Sequence, residues 1–210
     1  MEENMAILMA DLSGYTALTE THGPHSAADL IDRYLEIVQN CLVGESKLNE
    51  RTGDEVMIIS SSADNILASA LLLMKLISNE ENFLQVHGGL HYGKVLWRNN
   101  SLFGAAINLT ARIGAKAGSG TFWCSDDFVK ALSSESLVTL HPKGKHSLKN
   151  VSEEKEMYEI GIEDKGSFYI DPICRMLILN TTNAIKHPSS EELFFCSPAC
   201  LDIYHKKPIA

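Results

Sequence analysis

Two short apolar strands in this chain each run into a turn that carries an aspartate. The first reads Ala6-Ile-Leu-Met-Ala-Asp11-Leu-Ser-Gly-Tyr-Thr16, the second Arg51-Thr-Gly-Asp54-Glu-Val-Met-Ile-Ile59. A charged carboxylate at the end of a buried strand is costly unless a cation offsets it. Two of them converging from separate strands make a site for a hard divalent cation, Mg²⁺ or Mn²⁺. A fold that satisfies both must bring two strand ends together at one edge.

A third segment, Leu102-Phe-Gly104-Ala-Ala-Ile-Asn108-Leu-Thr-Ala-Arg112, places an amide and a guanidinium four residues apart. That spacing puts both on one face of a helix. Carboxylates for metal, with an amide and a guanidinium for a polyphosphate, are the groups that phosphoryl or nucleotidyl transfer requires.

At 210 residues the chain accommodates one medium domain and a small appendage. A net charge of −9 with no basic stripe argues against a nucleic-acid binder, but not against an anionic nucleotide, for which local charge and metal ions decide. No stretch approaches the roughly 20 apolar residues of a membrane span. Met1-Glu-Glu-Asn lacks the basic start of a secretory signal, so the expected location is cytoplasmic. Of five cysteines, Cys41 and Cys124 stand alone and read as small buried hydrophobes. Cys174, Cys196 and Cys200 crowd near the end, and in a reducing compartment such a cluster suggests metal more than disulfides.

Periodicity predicts strands over 6–11, 46–49, 56–60, 86–95, 121–124, 138–140 and 157–162. It predicts helices over 24–42, 64–77 and 125–132, with a further helix carrying Asn108 and Arg112. Thr52–Glu55 reads as a hairpin turn. His87 and His91 fall on one face of their strand, a spacing at which a metal pair is conceivable but is not the favoured reading. Strands and helices alternate without a strict βαβ repeat, which favours an α+β fold with a mixed sheet. Residues 163–167, polar and short, read as a linker between a first domain (1–164) and a second (168–210).

Taken in order, five segments resemble the class III adenylyl/guanylyl cyclase catalytic domain across residues 5–162. They are Asp11–Thr16, Gly53-Asp54, Gly89-Leu-His91-Tyr-Gly93-Lys-Val95, Phe103–Arg112 and Leu148-Lys149-Asn-Val-Ser-Glu-Glu-Lys-Glu-Met-Tyr158. The resemblance implies a ferredoxin-like mixed sheet flanked by helices. It implies two metal ions per active site, Mg²⁺ or Mn²⁺, on Asp11, Asp54 and the Leu12 carbonyl. One ion would activate the ribose 3′-hydroxyl and the other would bind the triphosphate. Backbone N–H groups of Leu12, Ser13, Gly14, Tyr15 and Thr16 would cradle the phosphates. Asn108 would orient the ribose, Arg112 would stabilise charge on the α-phosphate and Lys149 would hold the terminal phosphates. In the family these residues come from two chains of a head-to-tail homodimer, one giving Asp11 and Asp54, its partner Asn108 and Arg112.

The family reads the purine with two side chains, whose positions hold Glu50 and Ser101 here. Adenylyl cyclases typically have Lys and Asp there, guanylyl cyclases Glu and Cys, so this pair matches neither pattern and leaves ATP and GTP both open. Glu50 can accept from guanine N1–H and N2–H₂, whereas adenine offers it only an exocyclic N–H₂.

Beyond residue 167, Tyr169-Ile-Asp-Pro-Ile-Cys174-Arg-Met176, then Phe194-Phe-Cys196-Ser-Pro-Ala-Cys200-Leu-Asp-Ile-Tyr204, closing near Pro208, resembles the YHS domain. Arg175 departs from its pattern, where glycine is usual. A module of about 40 residues needs a staple. Three sulfurs suit Zn²⁺ or Cu⁺, with His187 and His205 as candidates for a fourth ligand.

Two functional readings follow. The first is a cyclase that converts a purine nucleoside triphosphate to the 3′,5′-cyclic monophosphate and pyrophosphate, with a metal- or redox-responsive tail. The alternative is a non-catalytic cyclase-like domain that binds nucleotide or a partner while the tail senses or handles metal.

Overall fold

The computed structural model describes residues 2–99, 101–134, 138–149, 151, 153–161 and 168–206. The expected linker, Asn100, Asn150, Ser152, Ile162 and Pro208 lie outside them.

β1 (Glu2–Leu12) leads through Ser13-Gly14 into α1 (Tyr15–Cys41). The helix starts nine residues earlier than apolar spacing suggested, because its first turns are solvent-facing and carry little periodic signal. Gly23 (φ 81°) breaks it into two segments just before Pro24, a residue that suits the start of a helix and not its interior. Ala27, Ile31, Tyr34, Val38 and Cys41 then form the buried stripe. β2 (Lys47–Thr52) and β3 (Glu55–Ser60) make a tight hairpin, and α2 (Ala63–Ser78) follows. Ser62 caps α2 by accepting from the Asn65 N–H at 3.3 Å. β4 (Val86–Arg98) turns back on the short β5 (Ser101–Phe103), a strand too short for periodicity to predict. Then come α3 (Ala105–Gly114), β6 (Phe122–Ser125), α4 (Asp126–Ala131), β7 (Leu140–His146) and β8 (Lys155–Ile160). The strand expected at 138–140 is displaced towards the C-terminus, into a polar run that pairs with β8 on one side only.

The sheet runs β2-β3-β1-β4-β6-β8-β7, with β5 on the end of β4. Among the described strands, only β4 and β6 pair in parallel. The order β4-β1-β3-β2, with α1 and α2 in the connections, is the ferredoxin-like arrangement that the class III resemblance implied. Along β1 the pleat separates two cores. Ala6, Leu8, Ala10 and Leu12 face α1 and α2; Met5, Ile7 and Met9 join Met57, Ile59 and Val95 under α3.

The tail holds two small hairpins, β9 (Tyr169–Ile170) with β10 (Leu177–Ile178) and β11 (Ile185–Lys186) with β12 (Phe194–Phe195), then α5 (Pro198–Lys206). Fully buried Phe195 lies 5.2 Å ring to ring from Tyr204.

Candidate active site

Asp11 continues the α3-facing side of β1 and is the register partner of His87 on β4. Asp54 occupies the turn between β2 and β3, where Gly53 adopts φ 64°, a left-handed conformation that favours glycine in tight hairpins. Asp11 Oδ1 accepts the Leu12 N–H at 3.1 Å. Burial and the adjoining Asp11 carboxylate push Asp54 up to about 6. Two carboxylates that resist joint ionisation are the donor set that a hard divalent cation relieves. The residues present therefore fit Mg²⁺ or Mn²⁺.

Two adjoining clefts open here. Glu50, Thr52 and Glu55 line one, over Met9 and Met57. Asp11, Glu55 and His87 line the other, against Gly88 and the end of α3 at Ala111 and Gly114. Glu55 thus belongs to both, and burial, then Asp54 and Glu50, raise its carboxyl above the usual range. Sequence reasoning missed Glu55, although its place two residues before Met57 puts it on the α3-facing side of β3. It also set His87 aside. In the structure Ser13 Oγ and His87 Nδ1 are 3.0 Å apart. His91, by contrast, is buried against Ser125 Oγ at 2.7 Å.

Of the five N–H groups expected to meet phosphate, two have acceptors within the chain. The Leu12 N–H is held by Asp11, and the Ser13 N–H donates to the Gln85 carbonyl at 2.8 Å. Gly14 (φ 92°) precedes α1 with no side-chain cap. The first turn of α1, with Tyr15 and Thr16, is therefore the part aimed outward.

Asn108, Arg112 and Lys149 do not line the aspartate clefts. Asn108 is exposed and Arg112 half-buried on α3, which buries the neighbouring Leu109 and Ile113. Leu148 packs on those two residues, which brings exposed Lys149 beside α3. Ser101 is exposed at the start of β5, opposite Arg98. Asp11 and Asp54 lie at the β1/β3 ends, and Asn108, Arg112 and Lys149 lie on and beside α3, whose Ala111 and Gly114 border the Asp11 cleft.

In the tail, ligand atoms of Asp171, Cys174, Cys196 and Cys200 all lie within 4.8 Å of one another. Cys174 and Cys196 sulfurs are 3.5 Å apart, Cys196 and Cys200 3.7 Å. Zn–S bonds of about 2.3 Å in a tetrahedron separate sulfurs by about 3.8 Å, so the thiols fit a thiophilic ion. Burial, Asp171 and Cys174 push the Cys196 thiol up to about 12, as expected where thiolates gather without a cation. Asp171 is the fourth group here, in place of either histidine. Its Oδ1 accepts the N–H groups of Ile173 and Cys174 and its Oδ2 that of Cys196, at 2.8–3.2 Å. His187 and His205 face each other instead, Nε2 to Nε2 at 3.4 Å. His187 Nδ1 also accepts from the Ser189 N–H, which puts the proton of the neutral ring on Nε2 and closes that nitrogen to a metal.

No family model matches the chain. An uncharacterized protein of Mycobacterium tuberculosis is 37% identical over 112 residues, 53% of this chain and 30% of that protein. An adenylate cyclase of Glutamicibacter nicotianae is 29% identical over 117 residues, 55% and 29% of the two chains. The chain thus spans about 30% of the length of these curated relatives. Among solved structures, an adenylate cyclase from Trypanosoma brucei superposes with a TM-score of 0.71 at 18% identity, covering 77% of this chain and 89% of that one. The guanylate cyclase domain of RhGC from Catenaria anguillulae, solved with GTP, superposes at 0.64 with 17% identity, covering 77% and 98%. The fold is that of the nucleotide cyclases, a mixed α+β sheet flanked by helices, with a cysteine cluster near the C-terminus. Among the described residues no helix is long and apolar enough to cross a membrane.

Proposed function

We propose that the chain is a class III nucleotide cyclase, forming a 3′,5′-cyclic monophosphate and pyrophosphate from ATP or GTP. The observation that carries this reading is the convergence of Asp11 and Asp54, with Asp54 pushed up to about 6 beside its partner, on a cyclase fold. Asp11, Asp54 and the Leu12 carbonyl would hold two divalent cations, which supply Lewis-acid stabilisation of phosphate charge and of the attacking 3′-oxygen.

The chain's own residues bind and orient. N–H groups at Gly14–Thr16 receive phosphate oxygens at the positive end of α1. Glu50 and Ser101 meet the purine edge, with Glu55 closing the cleft between base and phosphates. Arg112 neutralises charge that grows on the α-phosphate and Asn108 holds the ribose; Lys149 takes the terminal phosphates. Because neither exposed Asn108 nor half-buried Arg112 lines the clefts beside the aspartates, this reading calls for a second copy of the chain, arranged head to tail. The tail cysteines would hold Zn²⁺ or Cu⁺ and report metal or redox state to this site. The proposed setting is the cytoplasm.

The test is turnover of purified protein with ATP and with GTP in Mn²⁺, reading cyclic product. Product that disappears in both Asp11→Ala and Arg112→Ala, and returns when these two variants are mixed, supports the cyclase and its shared site. Nucleotide binding without product in a folded dimer would favour a binding module.

A further inference from the structure

Arg175, next to the cysteine cluster, touches the first domain. It lies one residue after Cys174, inside the turn that Asp171 closes by accepting the Arg175 N–H at 2.9 Å. Its backbone is left-handed at φ 63°, a strained choice for a long side chain. The side chain leaves the tail altogether. Nη2 donates to the Asn40 carbonyl at 2.7 Å and Nε to the Leu42 carbonyl at 3.4 Å. The Arg175 carbonyl accepts the Gly44 N–H at 2.8 Å. The last turn of α1 has no basic residue of its own, so Arg175 supplies the cation that its carbonyls attract.

The clamped segment is the root of β2. Asn40, Leu42 and Gly44 precede Lys47, where the strand starts, and β2 then carries Glu50 and leads to Asp54. β2 is an edge strand, held by β3 alone, with a register shift between Leu48 and Glu50. Its position therefore depends strongly on where its root is fixed. The Asp171 carboxylate accepts the Cys174 and Cys196 N–H groups and its main-chain carbonyl that of Arg175, so an ion that pins the sulfurs also pins the Arg175 backbone.

Resting on the cyclase reading, we infer that Arg175 is a positioning residue that couples cation occupancy of the cysteine cluster to the geometry of the β2–β3 cleft. The coupling is intramolecular, from turn to edge strand. It is reciprocal by thermodynamic necessity: a tail cation that changes nucleotide affinity has its own affinity changed by the same factor.

The experiment uses the full, reduced chain, Zn²⁺ as the probe, and amide hydrogen exchange over residues 40–52. Arg175→Gly removes the guanidinium while relieving the left-handed strain, and Arg175→Lys keeps a cation; Cys196→Ser is the control for Zn²⁺ held elsewhere. Zn²⁺ slows exchange in this segment by about fivefold or more in the parent chain. It has no such effect in Cys196→Ser or Arg175→Gly, and an intermediate one in Arg175→Lys. Binding of Mn²⁺-nucleotide shifts with Zn²⁺ by the same factor as Zn²⁺ binding shifts with nucleotide, and both factors fall towards one in Arg175→Gly. Unchanged exchange in the parent chain, or an unchanged response in Arg175→Gly, overturns the inference. An exchange response in a chain that binds no Mn²⁺-nucleotide sustains the clamp and sinks the cyclase reading instead.

Discussion

Gly89 of β4 and Gly114 of α3 meet backbone to backbone: a Cβ placed on Gly89 would lie 2.4 Å from the Gly114 nitrogen and equally close to the Thr110 carbonyl oxygen. The helix that carries Asn108 and Arg112 can lie this near the sheet only because both residues lack side chains. Gly89→Ala is expected to destabilise the fold by about 1–3 kcal/mol through overpacking. It also tilts α3 and lowers turnover beyond what the folded fraction explains. Urea unfolding and activity per folded molecule separate the two effects.

Removing one of the crowded carboxylates should cost chemistry and not stability. Asp54→Asn is predicted to lower turnover by roughly 10²-fold or more while leaving the melting temperature equal or higher, because the Asp11–Asp54 repulsion is gone. A melting temperature well below the parent's would show Asp54 to be a structural turn residue.

The pH response of this pair has a definite sign. Asp54 is raised from its usual range to about 6, so protonated Asp54 is favoured in the folded chain. Its stabilising contribution is complete below the unfolded carboxyl value and is lost as pH rises through about 6. Metal competes with that proton. Mn²⁺ affinity should therefore weaken about tenfold per pH unit below 6, measurable by calorimetry, and the slope should flatten in Asp54→Asn.

His91 titrates the other way. Burial lowers it to about 4, so the ring is neutral at pH 7, bonded to Ser125. A depressed histidine contributes stability that is fully present above about 6.5 and lost as pH falls towards 4, roughly 3 kcal/mol at most. The ring-proton NMR titration should show a midpoint near 4; a midpoint near 6.5 would contradict the buried geometry.

In the tail, Asp171 is the organising group. Burial opposes its charge, but the N–H groups of Cys196, Ile173 and Cys174 hold it down to about 2. Asp171→Ala leaves three N–H groups without their acceptor and should abolish Zn²⁺ binding although every cysteine remains. Retention of stoichiometric Zn²⁺ would reassign Asp171 to a dispensable role.

Much of this protein was legible in one dimension. Strand periodicity placed β1, β3 and β4. Helical spacing placed α2 and the second segment of α1, and the alternation with Asp11 and Asp54 at strand ends implied an edge where two carboxylates converge. These features are local: burial imposes a period of two or 3.6 on whatever sequence forms the element. The cysteine spacing likewise announced a cluster. Other features came from tertiary contact, where no local pattern reports a neighbour. Glu55 and His87 enter the clefts because β1 pairs with β3 on one side and β4 on the other. Asp171, not a histidine, joins the sulfurs because two separate hairpins donate N–H groups to one carboxylate. The placing of Asn108 and Arg112 outside the lining of the Asp11 cleft, and the reach of Arg175 to the end of α1, are set by how helices and turns pack. Packing is decided by the whole chain at once, through steric fit and hydrogen-bond satisfaction between residues far apart in sequence.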